Sequence, residues 1–113
     1  MGRLTTHILD TSAGKPAANI TLRLYRGAAL LLTAKTNADG RCDKPLLEGA
    51  GFKKGKYRLE FDAGKYFKKQ GVKLPKTPFL DTICIEFGID DTGAHYHVPL
   101  LVSPYGYSTY RGS

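Results

Sequence analysis

The sequence predicts an all-β fold, a two-layer sandwich, and three observations carry that prediction. Short stretches alternate apolar and polar side chains along most of the chain, the period of a strand with one buried face. Clusters of Gly, Pro, Asn and Asp separate these stretches at short intervals. Only "DAGKYFKKQG" breaks the period with helix signals. Seven to eight strands and one short helix, at about 62–70, are therefore expected.

Taken in order, "RLTTHILD" sets Leu4, Thr6 and Ile8 on one face and Thr5, His7 and Leu9 on the other. "TSAGKPAAN" reads as a turn. "ITLRLYR" alternates Ile20, Leu22 and Leu24 against Thr21, Arg23 and Tyr25, and "ALLLTAKT" follows, closing on the turn "NADG". "KYRLEF" is the next strand. In the helix, Asp62 is the expected N-cap and Gly71 the stop, with lysines in the last turn. Beyond "KLPKTP" come "LDTICIEFGI" and "HYHVPLLVS", joined by the turn-rich "DDTGA". "PYG" makes a corner, and "YSTYRGS" alternates Tyr107, Thr109 and Arg111 against Ser108, Tyr110 and Gly112.

A length of 113 residues suits one domain, 1–113, with a thin core that burial at a subunit interface would help. The net charge is +7, and nine of the 17 Lys and Arg residues fall between Lys53 and Lys76. That cluster reads first as a solvated helix face, next as a means of steering an anion, and last as a nucleic-acid patch. No aromatic–basic RNA-binding motif supports the last reading, so no nucleic-acid partner is expected. No apolar run of 18 residues occurs and "MGRLTTHILD" lacks the apolar core of a secretory signal, so neither a membrane nor an export route is expected. Cys42 and Cys84 are then free thiols in a reducing cytoplasm. "MGRLTT" as a lipidation site, "NIT" as a glycosylation site and "GAGFKKG" as a nucleotide loop all lack their required context.

The chemistry centres on three histidines, His7, His95 and His97. In "HYHVPLLV" the core face is Tyr96, Val98, Leu100 and Val102, so His95, His97, Pro99 and Leu101 point outward. His7 is also outward, on the face opposite Leu4, Thr6 and Ile8. For His95 a plain surface role is expected. His7 and His97 share their faces with Leu9, Pro99 and Leu101, and an outer face bearing apolar residues calls for a cover, most simply a second subunit. A three-histidine zinc site is an alternative, with no carboxylate evident near His7 to support it. Cys42 beside Arg41 is a weaker alternative as nucleophile; a small buried residue after a turn is the plainer reading.

"LTTHILDTSAGKPA", "NADGRCDKPLL", "FDAGKYF" and "HYHVPLLVSPYGYSTYRGS" closely resemble the 5-hydroxyisourate hydrolases, the transthyretin-related enzymes of purine catabolism. The similarity runs almost end to end, and the closing Tyr-Arg-Gly-Ser, taken with the other blocks, is highly specific. The resemblance implies a transthyretin-like sandwich assembled as a homotetramer, a dimer of dimers, with active sites in the channel between dimers. It implies 5-hydroxyisourate as substrate, no cofactor and no metal, and a cytoplasmic setting, or a peroxisomal one in a eukaryote. It also implies catalytic roles for His7, Arg41 and His97, a substrate contact for Tyr110, and a position near the site for Ser113. "FLDTICIEFGI" departs from the family's usual strand, outside these positions. The hormone carrier transthyretin shares the fold, so a non-catalytic small-ligand carrier is the alternative; carriers lack the His–Arg–His set and the Tyr-Arg-Gly-Ser ending, and this sequence has both.

Overall fold

A computed structural model describes residues 2–112. They form β1 Arg3–Asp10, β2 Lys15–Pro16, β3 Thr21–Arg26, β4 Ala29–Lys35, β5 Leu47–Glu48, β6 Gly55–Asp62, α1 Ala63–Lys69, β7 Thr82–Ile89, β8 Tyr96–Ser103 and β9 Gly106–Thr109. One sheet runs β2-β1-β8-β9, with β5 also on β1; the other runs β4-β3-β6-β7. The expected sandwich with one short helix is what forms. The strand count is nine because β2 and β5, two residues each, clip onto the free edge of β1 at opposite ends. Pieces that short carry no periodicity, so alternation could not reveal them.

The core lies between the sheets and follows the alternation read from the sequence. Leu4 and Ile8 of β1 and Tyr96, Val98, Leu100 and Val102 of β8 are buried from one side. Leu22, Leu24, Leu59, Phe61, Ile83 and Ile85 meet them from the other sheet. Each large apolar side chain fully removed from water contributes about 1.5–3 kcal/mol, which sets these strands' facing. The one polar side chain among the inward residues at the middle of β1 is Thr6, and its hydroxyl donates to Val98 O at 2.7 Å, so its burial costs little.

The join between β1 and β8 is parallel, whereas the other strand pairs are antiparallel. It sets Thr5 beside His97 and His7 beside Pro99. Pro99, expected on the outer face, is buried between β1 and the end of β9. β4 is an edge strand whose Leu30 and Leu31 remain 53% and 43% exposed. A register shift at Leu24/Tyr25 breaks the alternation of the pair β3–β4 there.

The helix ends as the sequence suggests but begins differently. Gly71 takes φ +82°, with Gly71 N donating to Lys68 O and Val72 N to Phe67 O, a Schellman stop. Asp62 stands at the N-cap but makes no capping bond. Its carboxylate is taken by the Arg23 fork, at 2.7 and 3.1 Å, which holds the Asp62 carboxyl below its ordinary value. A charge-assisted bidentate pair outcompetes a single capping bond to a main-chain amide.

Asp10, at the end of β1, ties the sheet to the helix. Its Oδ1 accepts from the Ser12 hydroxyl and from the Ser12 and Ala13 amides, and its Oδ2 accepts from the Tyr66 hydroxyl at 2.8 Å. Burial alone would push this carboxyl up; the donors outweigh it and hold it below its ordinary value. Its stabilising contribution is therefore full above the unfolded carboxyl's value of about 3.9 and disappears as pH falls through the lower folded value. Tyr66→Phe removes one bond to a charged acceptor and should cost about 1.5–3 kcal/mol. A urea midpoint equal to the parent's would show that the sheet–helix tie contributes nothing.

Candidate active site

Arg41 reaches the sheet through the "NADG" turn. Asn37 Oδ1 accepts from the amides of Asp39 and Arg41, and Gly40 N donates to Asn37 O. Gly40 has φ +73°, and a Cβ on it would lie 2.5 Å from Ile8 O. Only glycine satisfies both demands. The result is Ile8 N donating to Gly40 O at 2.8 Å and a single bridge pairing His7 with Arg41. The turn thereby holds the Arg41 backbone against the middle of β1.

His97 comes from the other side of β1, on β8. Thr5 Oγ1 lies 2.9 Å from His97 Nδ1. The hydroxyl serves either tautomer, accepting from Nδ1–H or donating to bare Nδ1, and in both it fixes the ring and leaves Nε2 without a hydrogen-bond partner among the described residues. His7 and His97 are two residues out of step on adjacent strands, a Cα separation of roughly 8 Å from strand rise and spacing. A cleft of about 270 Å3 is lined by Arg3, Thr5, Thr6, Arg41, Cys42, Lys44 and His97. His7 does not line it directly; it stands beside it, bridged to Arg41.

The electrostatics bind the three groups together. His7 is held below its ordinary value by burial and then by the Arg41 guanidinium, partly offset by a hydrogen bond to the Asp39 main chain and by the Asp39 charge. His97 is lowered by burial, then by Arg41 and by His7. Both imidazoles are thus neutral near pH 7 and able to accept a proton. Cys42 is half-buried, and burial followed by the Asp43 charge pushes its thiol up, the opposite of what a nucleophile needs. His95 does not line the cleft, and among the described residues no group of three His, Cys, Asp or Glu side chains could hold a metal ion.

The segment after β9 is where the sequence says least and the geometry most. The register of β8 and β9 sets Leu100 opposite Thr109, and the same register returns at a bridge between His97 and Gly112. The position between them that would exchange two ladder bonds is Pro99 with Tyr110, and Pro99 has no N–H to give. The strand stops at Thr109, whose hydroxyl donates to Pro99 O at 2.7 Å. Tyr110 is 60% exposed and lines a separate groove of about 220 Å3 with residues of β7 and β8. Arg111 stacks its guanidinium 4.3 Å from the Tyr96 ring centroid and donates to His95 O at 3.2 Å. Gly112 then donates to His97 O at 2.7 Å, and a Cβ on it would come within 2.9 Å of the His97 ring. Ser113 lies outside the described residues.

Of the residues singled out by sequence, His7, Arg41 and His97 gather at one place on the outer face of the first sheet, and Tyr110 is not brought to the cleft but lines a separate groove. Thr5 and Gly112, which hold His97, were not singled out. Alternation turned Thr5 outward beside His7, but only the β1–β8 register reveals its partner.

The family model of the HIUase/Transthyretin family matches residues 4–112, and the chain belongs to that family. It is 60% identical over 116 residues to "5-hydroxyisourate hydrolase 2" of Rhizobium meliloti, covering 99% of this chain and 97% of that one. Among solved structures it is similar to an (S)-allantoin synthase, with TM-score 0.96 and 47% identity over 99% of this chain, which spans 44% of that protein's length. The 5-hydroxyisourate hydrolase of Klebsiella pneumoniae matches over the whole of both chains with TM-score 0.85 and 37% identity. A sea bream transthyretin in complex with thyroxine matches with TM-score 0.86 and 30% identity, covering 97% of this chain and 94% of that one.

Gly112→Ala should displace the His97 ring while sparing the core. The expected result is a shift of the His97 ring resonances in NMR spectra with a melting temperature within a few degrees of the parent. Unmoved His97 resonances would mean that the contact is slack.

Proposed function

We propose that this chain hydrolyses 5-hydroxyisourate to 2-oxo-4-hydroxy-4-carboxy-5-ureidoimidazoline in urate breakdown, by attack of water on an endocyclic amide. The observation that carries the reading is the gathering of two neutral imidazoles and a guanidinium on one outer sheet face, with His97 and Arg41 lining the cleft and His7 beside it. The name borne by relatives up to 60% identical supports it. One histidine of the pair His7 and His97 takes the proton of the attacking water, and the other orients the water or gives a proton to the departing nitrogen. Arg41 forks onto the carbonyl oxygen where negative charge develops, a planar two-point contact that lysine would not reproduce. Tyr110, which lines a separate groove, and Ser113 are both assigned a place near the substrate on family resemblance alone. The set needs no metal: a base worth about 10²–10⁴-fold and an oxyanion donor of similar size form a complete hydrolytic pair.

In this proposal residues 1–113 act as one domain in a homotetramer, a dimer of dimers, in the cytoplasm. His7 and His97 stand on an outer sheet face, so a cleft closed on all sides requires a second copy over it. The free thiols Cys42 and Cys84 fit a reducing compartment. Among the described residues no helix is long and apolar enough to cross a membrane.

The likeness to a thyroxine-bound transthyretin favours a second reading, a carrier that binds a small aromatic ligand without turnover. Following the ultraviolet decay of freshly made 5-hydroxyisourate separates the two. Acceleration by the protein in chelator-treated buffer is expected; decay at the spontaneous rate would leave the carrier reading, and a rate restored only by added metal would remove the metal-free mechanism. His7→Asn and His97→Asn should each lower kcat by about 10²–10⁴-fold, and Arg41→Lys by about 10²–10³-fold, with folding retained. Full turnover in any one of them cancels that residue's role. Because both histidines are held below 6.5, kcat/KM should be level near neutrality and fall on the acid side with an apparent pKa under 6.5. An acid limb above 6.5 would contradict imidazoles held neutral by burial and Arg41.

A further inference from the structure

The cleft carries more positive charge than a His–Arg–His set requires. Arg3 and Lys44 line it together with Arg41, and no carboxylate side chain does. The two come from separate elements, β1 and the segment that follows the "NADG" turn, and meet at this cleft. The ion pairs among the described residues join Arg23 to Glu60 and Asp62 and Arg58 to Glu60, and none involves Arg3, Arg41 or Lys44. Nearby acids are turned to other work or stand off: Asp43 Oδ1 accepts from Asn37 Nδ2, and Glu48 faces Arg3 across the β1–β5 pair without an ion pair.

We propose that Arg3 and Lys44 form an anion-reading rim beside Arg41 and hold the carboxylate that ring opening creates. The proposal rests on the hydrolase reading and deepens it. In that step the water oxygen bonds to the ring carbonyl carbon and the C–N bond breaks. One water proton ends on the departing nitrogen and the other is released as the new carboxylic acid ionises. A neutral amide thus becomes an anion at the carbon that Arg41 faces. Cations placed next to it favour the charged, opened ring over the neutral amide, and they select cyclic ureides and imides that carry a carboxylate. Both side chains are exposed, so each contact is screened and modest, and the selectivity falls with salt.

Orotate and uracil test this directly, since they share a planar imide ring and differ by one carboxylate. Binding is read by calorimetry at low salt, with no turnover required. Wild-type protein should bind orotate at least about tenfold more tightly than uracil, and the preference should shrink as sodium chloride is raised. Arg3→Gln and Lys44→Gln should each cost about two- to fivefold in orotate affinity and leave uracil binding alone, while Lys44→Arg restores it. Orotate should also inhibit 5-hydroxyisourate turnover competitively, with a weaker inhibition constant in Lys44→Gln. Equal affinity for orotate and uracil, or wild-type orotate affinity in both glutamine variants, overturns the proposal. Failure of the hydrolase reading shows separately, as a wild-type protein that leaves 5-hydroxyisourate to its spontaneous decay.

Discussion

Hydrogen bonds of the parallel ladder between β1 and β8 set how Thr5, His7 and His97 stand to one another in the candidate site. They join two strands some ninety residues apart in sequence and fix Thr5 opposite His97. Because side chains alternate with period two, a slip of β1 by one residue would send Thr5 and His7 into the core and Leu4, Thr6 and Ile8 out to water. The buried face forbids that slip: Leu4 and Ile8 would leave the core at about 1.5–3 kcal/mol apiece. The register that positions the polar face is thus enforced from the opposite, apolar face. The outer surface that carries the candidate site obtains its precision from packing it does not touch.

Two irregular segments complete what the ladder begins, and each depends on a glycine. On one flank the Asn37–Arg41 turn docks on β1 through Gly40, where a Cβ would strike the main chain of Ile8. On the other flank the chain beyond Thr109 returns to β8 through Gly112, where a Cβ would strike His97. Pro99 links the two stories. Its missing N–H releases the chain from the ladder at Tyr110, and its burial between β1 and β9 leaves His97 as the first residue able to recapture that chain. The sheet is interrupted at the point where side chains are needed on its surface.

Much of this was legible in the sequence, for local reasons. Alternation alone located the long strands, turned His7 and His97 outward and set Leu100 and Val102 in the core. "NADG" announced the turn that carries Arg41, and Gly71 announced the helix stop. What stayed hidden was non-local. That Thr5 would meet His97 depends on pairing between strands at opposite ends of the chain, which no window of sequence contains. Asp62 looked like a cap because capping is a local rule, and it lost to Arg23, a partner thirty-nine residues away that offers two charged donors. Pro99 sat at an outward position in the alternation, and only the neighbours on both sides of β8 make it buried. Gly112 read as part of a family ending, and its close approach to an imidazole became visible only in three dimensions.

The position of Arg41 ties two requirements of the proposed reaction together. Burial first, and the nearby Arg41 cation after it, lower the proton affinity of each imidazole, which keeps them neutral but also makes them weaker bases. The same cation stabilises negative charge on the carbonyl oxygen as water adds. The two effects offset one another only if they act at different moments. Before attack, the guanidinium disfavours a proton on either ring and holds the pair ready. In the proposed reaction, charge developing on the substrate oxygen would offset the guanidinium's field and return to the imidazoles the part of their basicity that Arg41, rather than burial, removes. One arginine would then couple proton transfer to charge development, a role that suits a turn docked on β1 through Gly40.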